Sequence, residues 1–84
     1  MTITKLANEL EKQYSNLNFM NHCYLRIAYD NVVNAKWDTL IDRPFTLNAS
    51  LNQVSKATNL LILYKTDKYL LLEHNKISLT YRKK

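Results

Sequence analysis

The chain has 84 residues, with 12 Lys plus Arg against 7 Asp plus Glu, one Cys, one Pro and no Gly. That length holds one domain, residues 1–84, around one core, and buries only about 60–65% of its unfolded surface. Without glycine there is no phosphate-cradling P-loop, dinucleotide fingerprint, nucleophile elbow or glycine-rich kinase loop, because each needs close backbone approach or positive φ.

The first element is a helix from about Ile3 to Leu17. Ile3, Leu6, Ala7, Leu10, Tyr14 and Leu17 recur at spacings of three and four and share one face. Thr2 is placed to cap its start, and Ser15, Asn16 and Asn18 weaken its end.

Asn21 to Leu40 admits two readings. Asn21 can cap a helix whose stripe is Leu25, Ala28, Val32 and Ala35, with Arg26 and Asp30 paired at i,i+4. Against this, Cys23, Leu25, Ile27 and Tyr29 alternate with Tyr24, Arg26, Ala28 and Asp30 as in a strand. The helical pattern runs further, and a strand would need a turn near Asn31 without glycine, so helix is favoured. Pro44, the only proline, disfavours helical backbone at Arg43 and puts a turn at Arg43-Pro44-Phe45-Thr46.

Ser50-Leu51-Asn52-Gln53 fits a capping box, followed by the stripe Val54, Ala57, Leu61 and Tyr64, with Leu60 and Leu63 widening it. Thr66-Asp67 supplies a stop and a fresh cap. From Lys68 to Tyr81, Tyr69, Leu72 and Leu79 fit one helical face and Leu70, Ile77 and Tyr81 an adjacent one. Ile77, Leu79 and Tyr81 also alternate with polar residues, so a hairpin turning at His74-Asn75-Lys76 is the rival. The favoured fold is mainly α, an antiparallel bundle of about four helices. The alternative is α+β, with a short antiparallel sheet from residues 22–29 and 69–82.

Few residues suggest chemistry. Cys23 is the only thiol and neighbours His22, but adjacent helical side chains point about 100° apart, so His22 is badly placed to activate it. Asp38 and Asp42 are expected to face water or to pair with Lys36 and Arg43. The expectation is therefore a non-enzyme with no metal site and no cofactor. With no possible internal disulfide, no signal-peptide core and no apolar run longer than Leu60 to Tyr64, the expected setting is cytoplasmic, without membrane insertion.

Charge is lopsided: residues 1–42 sum to −1 and residues 43–84 to +6. An acidic partner is implied, either a protein surface or nucleic acid. The candidate partner-binding residues are Trp37, Arg43 and Phe45 around the proline turn, and Lys65, Lys68, Arg82 and Lys83 in the basic half. Tryptophan and arginine are enriched at interface hot spots, although the high average burial of tryptophan favours a core place for Trp37. Aromatic and basic residues are interleaved, which suits stacking on unpaired bases, and Lys56, Lys76 and Lys84 add to the phosphate-facing set in that reading. No nucleic-acid motif accompanies them. The preferred expectation is therefore a small non-catalytic interaction protein: a regulator, an adaptor or a phage-type inhibitor. A nucleic-acid-binding protein is the alternative. A homodimer is also expected to be within reach, since pairing buries surface that one small core leaves out.

Overall fold

A computed structural model of the chain describes residues 3–83. The cap expected from Thr2 and the phosphate contact expected from Lys84 lie outside them. The described residues form five α-helices: α1 (Ile3–Gln13), α2 (Asn21–Val33), α3 (Phe45–Asn48), α4 (Leu51–Thr66) and α5 (Lys68–Arg82). A single 3-10 turn, Trp37–Thr39, lies between α2 and α3, and no strand occurs among the described residues. The mainly helical bundle is the fold, and the sheet alternative is excluded for residues 22–29 and 69–82, which are helical.

α1 buries Ile3, Leu6, Ala7 and Leu10, as their spacing requires. It stops at Gln13, not at Leu17, and residues 14–17 turn back. The Tyr14 hydroxyl donates to the Tyr64 carbonyl at 2.6 Å, so the C-terminal ends of α1 and α4 meet there.

α2 starts as expected but differs in its cap, its phase and its end. Its N-cap is Met20, with no side-chain cap bond. Instead the Asn21 amide donates to Glu11 Oε2 at 2.9 Å, so an acid of α1 sits at the positive end of α2. The buried face is Tyr24, Ile27, Ala28, Tyr29 and Asp30; of the expected stripe only Ala28 is fully buried. A shift of one residue rotates a helix by about 100°, enough to exchange flank for core. The helix ends at Asn34, well before Leu40. Asn34 sits in the left-handed region at φ 56, ψ 41, where Asn is the usual substitute in a chain without glycine.

Residues 43–46 are a turn that begins a helix: Pro44, after a cis bond from Arg43, is the N-cap of the one-turn α3. α4 opens on the expected capping box. Ser50 Oγ accepts from the Gln53 amide at 3.1 Å, and the Ser50 amide donates to Gln53 Oε1 at 2.9 Å. Ala57, Leu61 and Tyr64 are buried as predicted, with Val54 and Leu60 half-buried and Leu63 exposed. Asp67 ends α4 and caps α5, accepting from the Leu70 amide at 2.9 Å.

α2 is the hub and packs against α1, α4 and α5. The body measures 33 × 31 × 17 Å, a slab in which α5 covers one side of α2.

Candidate functional site

The N-terminal part of α2 presents His22, Leu25, Arg26 and Tyr29 along one flank, at intervals of three and four. The 3-10 turn adds Trp37, the following loop adds Arg43, and the last turn of α5 adds Arg82. Together these seven side chains line a cleft of about 250 Å³. Its polar lining includes all three arginines of the chain, drawn from positions 26, 43 and 82.

Asp30, fully buried on the core face of α2, organises the floor. Its Oδ1 accepts from the Trp37 backbone amide at 3.0 Å and from Arg82 Nη2 at 2.9 Å. Its Oδ2 accepts from Ser78 Oγ at 2.6 Å and from Arg82 Nε at 2.8 Å. A buried carboxylate is tolerable only when paired and hydrogen-bonded in this way. The bond to Asp30 is the main influence that raises the Arg82 pKa further, so the guanidinium stays charged. Arg26 then spans to α5, donating from Nη1 to Ser78 Oγ at 3.1 Å and from Nη2 to Asn75 Oδ1 at 2.9 Å. The expected Arg26–Asp30 pair within α2 is replaced by these contacts, because Arg82 occupies Asp30.

The aromatic wall is equally fixed. Tyr29 stacks on Phe45 with ring centroids 3.8 Å apart and planes 9° from parallel, and Trp37 meets both rings edge-on. Burial pushes the Tyr29 hydroxyl up to about 12, so it stays a neutral phenol. Arg43 lies over the Trp37 ring, 5.2 Å from its centroid, and bonds Asp38 Oδ2 at 2.8 Å. Its side chain is 73% exposed. Burial opposes ionisation of Asp38, but the Arg43 bond, aided by Lys36 and Arg82, outweighs it and holds the carboxyl below its ordinary range.

Arg82 faces Asp30 and Arg43 faces Asp38, whereas Arg26 meets only a hydroxyl and an amide oxygen; among the described residues no carboxylate pairs with it. The cleft therefore keeps an uncompensated positive charge beside a rigid aromatic wall.

Of the residues singled out from the sequence, Trp37, Arg43 and Arg82 come together here. Trp37 is only 7% exposed and Phe45 2%, so both rings belong to the core, with Trp37 showing one edge to the cleft and Phe45 backing Tyr29. That burial counts against an interface made of the two rings themselves. Lys65 is bonded to Glu9 of α1, and Lys68 starts α5, about 21 Å along the helix from Arg82. Lys83 is exposed just beyond α5. Sequence reasoning named Arg26 and Asp30 only as a pair within α2 and did not place them at the cleft. The available signal was Asp30 standing three residues after Ile27, an acid on what a different helical phase makes the apolar side.

Comparison with family models, with curated proteins and with solved structures finds no match.

Proposed function

We propose that this chain is a small, non-catalytic binding protein that takes an acidic group of a protein partner into the cleft between Arg26, Arg43 and Arg82. The observation that carries this reading is the convergence of every arginine in the sequence on one cleft. Guanidinium groups grip carboxylates and phosphates in a planar, two-pronged fashion that lysine does not match. Arg43 is the exposed member of the set: its pair with Asp38 is open to solvent on the arginine side and worth little, so an incoming anion can take the place of Asp38. A protein partner is favoured over nucleic acid because, among the described residues, no lysine lines the cleft. Lys65 is tied to Glu9, and Lys68 is at the far end of α5. The non-catalytic reading is supported by the two histidines: His22, next to Cys23 on a helix, is badly placed to activate it, and His74 bonds Tyr64. Such a module suits a regulator, adaptor or inhibitor of a larger assembly.

Trp37 is the only tryptophan and therefore reports the cleft directly. Titration with an oligoglutamate peptide should change its emission saturably. Arg26→Gln should weaken that response about tenfold, the scale of one charge-assisted hydrogen bond. A stronger response to single-stranded oligothymidylate would transfer the cleft to nucleic acid. No response to either would remove the proposal.

A further inference from the structure

We infer that the outer flank of α5, formed by Lys68, Tyr69, Leu72, Lys76, Leu79 and Lys83, is a second docking surface, and that its occupant is an acidic amphipathic helix of a partner protein. α5 is turned opposite to the way its composition suggests. The side facing the bundle carries Leu70, Leu71, His74, Asn75, Ser78 and Arg82, of which only the two leucines are apolar. Rotation is fixed by polar bonds: Arg82 and Ser78 to Asp30, Arg26 to Ser78 and Asn75, Asn31 Nδ2 to the His74 carbonyl at 3.0 Å, and Tyr64 to His74 at 2.7 Å. With that seam locked, helical geometry leaves Tyr69, Leu72 and Leu79 on an outward flank. Tyr69 is 86% exposed and Leu79 46%, while Leu72 is half-buried.

Charge selects the occupant. Lys68, Lys76 and Lys83 border this ridge and are exposed, and the only acid within α5 is Glu73, which neighbours Lys76. A second copy docked flank to flank would set lysines against lysines. Nucleic acid would answer the lysines but give Leu72 and Leu79 nothing apolar to cover them. An anionic bilayer needs a broad apolar face to enter, and this ridge is three side chains wide on a helix that cannot roll. An acidic helix with its own apolar stripe satisfies both features by packing side by side with α5, its acids against the lysines.

The test uses the whole chain, labelled with nitrogen-15, and a synthetic helical peptide with leucines on one face flanked by glutamates. Amide shifts should saturate by about millimolar peptide and fall on the outward positions of α5. The same peptide with lysines in place of glutamates should produce none. Tyr69→Ser and Leu79→Ser should each weaken binding several-fold. The double change Lys76→Glu and Lys83→Glu, at exposed positions, should reverse the preference towards the lysine peptide. Arg43→Gln, at an exposed cleft position that bonds Asp38 and not α5, should leave all of this unchanged, which separates this surface from the arginine cleft. Equal response to both peptides, shifts confined to the cleft, no shifts, tighter association with phosphatidylglycerol vesicles, or a protein dimer that hides the flank would each overturn the inference.

Discussion

The two sides of α2 are held by different forces. Towards α1 and α4 the contact is apolar: Leu6, Ala7 and Leu10 meet Tyr24, Ile27 and Ala28, with Ala57 and Leu61 from α4. Towards α5 it is mostly polar, with Arg26, Asp30 and Asn31 reaching His74, Asn75, Ser78 and Arg82. Apolar contact is non-directional and tolerates small shifts, whereas hydrogen-bonded contact fixes one rotation and one register. The polar side is therefore where geometry is specified most tightly, and it is also where the three arginines gather. The apolar side is the platform on which that arrangement stands.

The sharpest way to break this contrast is to remove its two centres separately. Asp30→Ala leaves Arg82 and the Trp37 amide without their acceptor, and should cost about 3–5 kcal/mol, the penalty for breaking a buried pair. Because α5 loses its anchor before the rest unfolds, the slope of urea unfolding should fall as well. Leu61→Ala opens a cavity on the apolar side and should cost about 2–5 kcal/mol with the slope unchanged. Equal slopes in the two variants would mean that the sides are not distinct.

Legibility in the sequence follows the same division. α1 and α4 were readable because apolar spacing and local capping decide them: Leu6 and Leu10 in one, the Ser50–Gln53 box and Leu61 in the other. The Asp67 cap was readable for the same local reason. α2 and α5 were predicted as helices, but their orientation was not recoverable from spacing. In α5 the apolar residues Tyr69, Leu72 and Leu79 point outward because Ser78 and Arg82 are claimed by Asp30, about 50 residues earlier in the chain. No local window contains both partners. The cleft was half-visible: Trp37, Arg43 and Arg82 stood out by type, but their meeting point depends on Arg26, which looked like an ordinary surface partner for Asp30.

A pH series sharpens the comparison further. Burial holds the His74 pKa below its ordinary value, against a smaller opposing effect of Glu73. The unfolded chain then binds more protons than the native one just below neutrality, so stability declines as pH falls through about 6.5. Glu9 and Asp38 are shifted in the same direction, so their contributions are also lost as pH falls, but only in the more acidic range below their ordinary values. The urea midpoint should therefore drop between about pH 7.5 and 5.5, and His74→Gln should flatten that drop. A profile unchanged by the substitution would contradict the burial of a neutral imidazole against Tyr64.

The smallest effect is expected on the apolar side. The Tyr24 hydroxyl is buried without a hydrogen-bond partner among the described residues, and burial pushes its pKa up to about 12. Tyr24→Phe removes an unsatisfied donor and keeps the ring, so stability should be unchanged or rise by up to about 1 kcal/mol. A loss in thermal unfolding would show that the hydroxyl has a partner after all.

The most direct test of the polar lock is residue-resolved amide hydrogen exchange, compared between the native chain and Arg82→Met. Local opening reports which contacts hold each helix. Removing the guanidinium should collapse protection along α5 while leaving α1 and α4 close to their native values. Uniform loss across all helices, or unaltered protection in α5, would contradict the account, since α5 would then be held by apolar contact like the rest.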